Sequence, residues 1–144
     1  MKPVLAELLT IGDEILYGQI VDTNAQWMSV ALGHVGIRVV RKTSVGDHEE
    51  SILTAFREAE ERADIVLITG GLGPTNDDLT KPCLVKYFNC GLVMNEKALA
   101  EVTEFFKRRG RELTEVNRQQ AALPSCCEKI TNALGTAPGM WFHR

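Results

Sequence analysis

The sequence predicts an α/β fold: a three-layer αβα sandwich around a mainly parallel sheet. Three observations carry this. Apolar runs at 4–10, 37–45 and 65–69 each give way to a helical pattern. Each run ends in glycine followed closely by acid: Gly12-Asp13-Glu14, Gly46-Asp47, and Gly70-Gly71-Leu72-Gly73 before Asp77-Asp78. Strand-then-helix repetition calls for right-handed crossovers, which make neighbouring strands parallel and put helices on both faces. The first run is expected in the middle.

The run at 4–10 reads as a buried strand. After Leu16-Tyr17-Gly18 comes Asp22-Thr23-Asn24, a cluster of good N-caps, with Gln26 three residues after Thr23 as in a capping box. A helix over 25–32 follows. Its apolar positions Trp27, Met28, Val30, Ala31 and Leu32 are too many for one narrow stripe, so it is either buried or packed on a partner. Gly33 and Gly36 end it. The 37–45 strand carries Arg41-Lys42, charges that suit a position near a sheet edge. Asp47 with Glu50 forms a second capping box, and Ile52, Phe56, Ala59 and Ala63 keep helical spacing.

The third run, Ile65-Val66-Leu67-Ile68, is short and unbroken, as in a strand covered on both faces. It leads into Thr69-Gly70-Gly71-Leu72-Gly73-Pro74-Thr75-Asn76-Asp77-Asp78-Leu79-Thr80. Strand, glycine turn and helix start is how an open α/β sheet builds an anion site. The segment lacks the Gly-Lys-Ser/Thr of a Walker A loop and the spacing of a dinucleotide fingerprint. Two acids beside such a cradle suit a divalent cation bridging them to a phosphate. The plainer alternative is a sharp turn with an acidic first helical turn, in which Asp77 is the structural cap. Asp13, Glu14, Asp47, Asp77 and Asp78 all follow strand ends, so a parallel sheet would gather them at one edge. For Asp47, simple helix capping is an equal alternative.

Helices are expected over 81–88, 96–108 and 113–122, with Pro82 tolerable in a first turn. Asn117-Arg118-Gln119-Gln120 reads as a wet helix face. Residues 129–131 and 140–142 form a prospective antiparallel pair. The connection between them, rich in small residues, resembles a ligand-approach loop.

At 144 residues the chain is about one domain. A net charge of −3 and the absence of a basic cluster beyond Lys107-Arg108-Arg109 argue against a nucleic-acid surface. No run is long enough to span a membrane. Cys83, Cys90, Cys126 and Cys127 lack metal-ligand spacing and suit reduced, mostly structural thiols of a cytoplasmic protein.

Taken together, Thr10-Ile11-Gly12-Asp13-Glu14-Ile15-Leu16, the Gly18 to Asn24 segment, Gly46-Asp47, Thr69 to Thr80, Asn117-Arg118-Gln119 and Gly135-Thr136-Ala137-Pro138-Gly139 resemble the amino-terminal domain of CinA-type competence/damage-inducible proteins. That domain belongs to the molybdopterin-binding superfamily of MogA, MoaB and the gephyrin G domain. The resemblance spans nearly the whole chain. It implies metal-dependent hydrolysis of ADP-ribose to AMP and ribose 5-phosphate, with a divalent metal such as Mg2+ as cofactor. Molybdopterin binding or adenylylation is the alternative activity, and a non-enzymatic ligand-binding oligomerisation domain is a third.

By motif, the superfamily's functional carboxylates fall on Asp47 and Asp78, with Asp77 beside them. Asp13, Glu14 and Asp78 are the metal candidates. The ligand-contacting set is Gly12, Asn24, Thr69, Gly70, Gly71, Leu72, Gly73, Thr75, Thr80, Gly135, Thr136, Pro138 and Gly139. The implied partners are a nucleotide or pterin-phosphate ligand and further copies of the chain, as a dimer or trimer, with neither nucleic acid nor membrane. The family normally continues beyond Gly139 with a further strand and a deamidase domain. The expectation is therefore a single domain over 1–144, truncated at its C-terminus.

Overall fold

The computed structural model describes residues 2–144. The first strand, β1 (Leu5–Ile11), is buried along nearly its whole length, with Ala6, Leu8, Leu9 and Ile11 at most 1% exposed. It is followed by a single turn, α1 (Asp13–Leu16), and by α2 (Thr23–His34), β2 (Arg38–Val45), α3 (Glu49–Arg62) and β3 (Ile65–Thr69). The order is β2-β1-β3, parallel throughout, with β1 central as its burial requires. The charged strand, β2, lies at an edge.

Side chains alternate across a strand, so Ala6, Leu8 and Thr10 share one face of β1 and Glu7, Leu9 and Ile11 the other. The Thr10 hydroxyl donates to Asp22 Oδ2 at 2.5 Å, and Asp22 caps α2 by accepting from Ala25 N at 2.9 Å. Glu7 meets Arg62 of α3. The two helices therefore cover opposite faces, which gives the three layers. α3 buries Ile52, Ala55, Phe56 and Ala59, at i, i+3, i+4 and i+7. α2 fully buries only Ala25; Met28, Ala31 and Leu32 are half-buried, and Trp27 and Val30 face outward, 72% and 56% exposed.

One helix cap differs from expectation. Asp47 does not cap α3: the cap position is His48, which makes no side-chain capping bond. Asp47 instead turns toward Asp13.

The chain resolves into two units, the first ending at Gly71 and the second running from Leu72 to Arg144. The second contains α4 (Thr80–Tyr87), β4 (Leu92–Met94), α5 (Glu96–Arg108), α6 (Glu115–Arg118), a 3₁₀ turn (Gln119–Ala121), β5 (Ala122–Pro124), β6 (Glu128–Ile130) and β7 (Gly139–Trp141). Antiparallel pairs β4–β5 and β6–β7 form two small sheets, and Ala98, Ala121 and Leu123 pack with Met94, Leu99, Cys127 and Met140.

The helix expected over 113–122 is present in a shorter, split form over 115–121. Thr114 caps α6, accepting from Asn117 N at 3.3 Å, the 3₁₀ turn carries the coil on to Ala121, and the chain then straightens into β5. Pro124 biases Leu123 toward extended backbone, and pairing with β4 buries Ala122 and Leu123. The β6–β7 pair bears out the expected antiparallel hairpin.

Candidate functional site

The parallel register places the strand ends together: Ile11 lies opposite Val45, and Thr10 opposite both Ser44 and Thr69. The next residue along each strand's end is a glycine, Gly12, Gly46 or Gly70. At two of these the missing side chain is a packing requirement. A Cβ on Gly70, whose φ is 94°, would collide with the Ile11 carbonyl oxygen, and one on Gly46 would collide with Asp13 Oδ1. Gly12 N donates to the Val45 carbonyl at 3.0 Å. The glycines therefore serve first to let three strand ends close up.

That closure assembles a carboxylate pair. Asp13 N donates to Asp47 Oδ2 and Asp47 N donates to Asp13 Oδ1, each at 3.1 Å. The two acids lock each other's backbone, and each keeps one carboxylate oxygen outside this exchange. Glu14 folds back over Gly12, its carboxylate 2.7 Å from where a Gly12 Cβ would stand. Asp22, absent from the expected site set, joins β1 to α2 beside this edge. Its signal was present in the sequence as one of a cluster of capping residues. Asn24 is exposed in the first turn of α2, and Thr69 and Gly71 close β3, Gly71 with φ 61°.

In the second unit, Asp78 closes the Gly73–Asp78 loop on itself. Its Oδ2 accepts from Thr75 N at 2.9 Å and from Thr75 Oγ1 at 2.6 Å. Burial raises its carboxyl, but the Thr75 hydroxyl and the backbone N–H groups of Thr75 and Gly73 outweigh it and hold the pKa below the ordinary 3.8. Gly73 fits here because a Cβ would stand 2.5 Å from Asp78 Oδ2. The loop clamp is thus Asp78, whereas Asp77, the expected cap, is exposed; α4 begins at Thr80 behind Leu79 with no side-chain cap. Leu72 is half-buried and Thr80 fully buried.

Asp78→Ala is expected to cost about 2 kcal/mol, the worth of hydrogen bonds to a charged acceptor. Asp78→Asn, which keeps the acceptor oxygen, should cost under about 1 kcal/mol. Thermal melts of the two variants measure the difference, and equal losses would mean the clamp is not what the carboxylate supplies.

Gly135, Thr136 and Pro138 lean on α5, lining with Ala98, Glu101 and Asn132 a cleft of about 10 Å3, room for about one water. Asn132 shapes this loop, accepting from Leu134 N and Gly135 N at 3.1 Å and donating to the Ala137 carbonyl at 2.9 Å. Gly139 opens β7 against Ile130. Lys81 escaped the sequence reading: its Nζ donates to the Gln120 and Ala122 carbonyls at 3.1 and 2.8 Å, and burial lowers its pKa.

A divalent cation fits the Asp13–Asp47 pair in kind. The donors are hard carboxylate oxygens, and Mg2+ is ordinarily held by one or two carboxylates, the rest of its shell being water and substrate phosphate. A complete protein cage is not built: among the described residues no group of three His, Cys, Asp or Glu side chains could hold a metal.

A family profile described as "Probable molybdopterin binding domain" matches residues 7–144. The structure of CinA from Thermoplasma acidophilum, a protein described as of unknown function, is 39% identical with a TM-score of 0.84, over 96% of this chain and 80% of that one. The chain belongs to the CinA-like, molybdopterin-binding-domain family. A CinA-like protein of Cytophaga hutchinsonii is 54% identical over 139 residues, 96% of this chain and 33% of the relative. The chain therefore spans about a third of the length of the curated relatives it matches. MoaB of Pyrococcus furiosus, described as synthesising tungsten cofactor, has a TM-score of 0.58 at 22% identity over 76% of this chain and 67% of its own, a likeness of fold alone. Among the described residues, no helix is long and apolar enough to cross a membrane.

Proposed function

We propose that the sheet edge of this CinA-like chain hydrolyses a nucleotide diphosphate such as ADP-ribose, with water, to AMP and ribose 5-phosphate. The observation that supports the reading is the reciprocal Asp13–Asp47 pair, two carboxylates fixed side by side with an oxygen of each left to a ligand. Asp13 and Asp47 would hold a Mg2+-like ion, whose contribution when bound is Lewis-acid polarisation of phosphoryl oxygens. The protein's own part is positional: each aspartate fixes the other's backbone, and Asp22 anchors the adjoining helix start. Asp78 is assigned the loop clamp rather than a reacting group.

Incubation with ADP-ribose and Mg2+ should release AMP. Asp47→Asn keeps an acceptor for Asp13 N, so it should fold normally yet lose at least about tenfold in turnover, as a charged ligand is replaced by a neutral one. Unchanged AMP release by that variant would sink the assignment.

A second reading is a molybdopterin-binding or adenylylating module. The family profile favours it, and a molybdopterin titration beside the hydrolysis assay separates the two. We further place the chain in the cytoplasm, as a homo-oligomer of two or three copies with neither nucleic acid nor membrane as partner. The outward Trp27 and Val30 of α2 support self-association, and sedimentation of the wild type against Trp27→Glu tests it.

A further inference from the structure

Away from the sheet edge, three of the four cysteines gather at one end of the β4–β5 pair. Leu92 lies opposite Pro124 at the end of the pairing, and continuing that register outward sets Gly91 against Ser125 and Cys90 against Cys126. Gly91 and Ser125 are tied twice, Ser125 N donating to the Gly91 carbonyl at 2.8 Å and Gly91 N to Ser125 Oγ at 3.2 Å. Cys90 is also fixed from its other side. Asn89, in the left-handed region at φ 49°, ends the α4 helix, and Cys90 N donates to the Val85 carbonyl at 3.1 Å. Both backbones are held before any covalent bond forms.

The side chains already meet. Cys126 Sγ donates to Cys90 Sγ at 2.7 Å, and both thiols are free. Residues directly opposite in an antiparallel pair carry Cα atoms about 4.5–5.5 Å apart, within the roughly 4.4–6.8 Å that a disulfide usually spans. Bonding at about 2.05 Å asks the sulfurs to close by roughly 0.7 Å. Cys126 is exposed, so an oxidant can reach the pair, and its position is not that of a core thiol such as Cys83, 1% exposed. Cys127, half-buried against the cluster of Ala98, Ala121 and Leu123, cannot bond its neighbour Cys126 without a strained eight-membered ring.

We propose that Cys90 and Cys126 are an oxidation site, converted by low-molecular-weight disulfides into a reversible intrachain bridge. Cys126 is the donor in the resting pair, and partial desolvation of its sulfur against Cys90, with the hydrogen bond between them, pushes its thiol up to about 11. Cys90, the acceptor of that hydrogen bond, is assigned the first attack. Its thiolate displaces one thiolate from the small disulfide and becomes a mixed disulfide. Cys126 then loses its proton to solvent and attacks the Cys90 sulfur, expelling the second thiolate. Two protein thiols and one small disulfide become one protein disulfide and two small thiols. The bridge joins positions 36 residues apart, tying the end of α4 to the β5–β6 turn.

The test uses the whole chain treated with oxidised glutathione under native conditions, then digested without reduction and mapped by mass spectrometry. A Cys90–Cys126 crosslink is expected, with Tm raised by about 5–10 °C and returned to the starting value by dithiothreitol. Cys127→Ser should keep both the crosslink and the shift, whereas Cys90→Ser and Cys126→Ser should lose both. The shift on the unmutated chain stands even if a serine variant folds poorly. A bridge to Cys127, glutathione retained stably on Cys90, or crosslinking only after denaturation would each overturn the assignment.

Discussion

Gly70→Ala is expected to lower stability by about 2–4 kcal/mol, among the largest effects of adding a single methyl group to this chain. Two costs combine. The position holds φ at 94°, which penalises any Cβ. The new methyl would also be driven into the Ile11 carbonyl oxygen, a backbone atom of the central strand that cannot rotate away. Over-packing of this kind adds about 1–3 kcal/mol. Gly18→Ala is the control, because Gly18 has φ 73° with nothing within 4 Å of the added Cβ. It should cost only about 1 kcal/mol. Urea melts of both variants give the difference. If Gly70→Ala melts within 0.5 kcal/mol of Gly18→Ala, roughly the spread of such measurements, the strand ends are not closed up as described. If it unfolds further but retains ligand binding when folded, Gly70 serves packing and not the cradle.

The distinction bears on what a sequence can say. Glycine after each strand was visible at once, and so was acid after each glycine. Parallel pairing followed from alternation, and the edge position of β2 from the charge on Arg41-Lys42; β3 is as apolar as a central strand yet lies at the other edge. The carboxylate pairing was not legible. Asp47 followed by Glu50 satisfies the local rule for a capping box, yet a tertiary contact took it: the parallel register sets Ile11 beside Val45, so the residues just beyond them, including Asp13 and Asp47, come within hydrogen-bond reach. Likewise Asp77 and Asp78 are equivalent by position, and only the turn at Pro74 decides that the second closes on Thr75. The strand β5, Ala122–Pro124, escaped for another reason. Gln119 to Leu123 keeps helical composition, while pairing with a three-residue strand, β4, leaves almost no local signal. The Cys90–Cys126 pair is the same case, since its register comes from that unseen strand.

Replacing Arg62 by methionine should lower Tm at pH 7 by about 5–10 °C and reverse the protein's response to acid. Glu7 lies on the central strand with none of its surface exposed, and Arg62 grips it with Nη2 at 2.9 Å and Nε at 3.0 Å. Thr43 Oγ1 donates to the same carboxylate at 2.8 Å. Burial alone would raise the Glu7 pKa. The hydrogen bonds from Arg62 and Thr43, with the charges of Arg62 and Arg41, outweigh burial and hold it below the ordinary 4.5. The unfolded chain therefore takes up this proton at higher pH than the folded one does. The stabilisation is complete above about pH 4.5 and is lost as pH falls through the lower folded value. In Arg62→Met the stem still packs, but the carboxylate is left with Thr43 and a more distant charge, so burial prevails and the folded pKa rises above 4.5. Stability is then greatest at low pH and falls as pH rises through the new value, so the variant should melt higher at pH 5 than at pH 7. Replacing both partners by apolar residues, Glu7→Leu with Arg62→Met, should recover most of the loss, because the costly state is the unpaired buried charge and not the missing bridge. An Arg62→Met protein that melts within about 1 °C of wild type at pH 7 would show that Glu7 is solvated and that the pair contributes nothing.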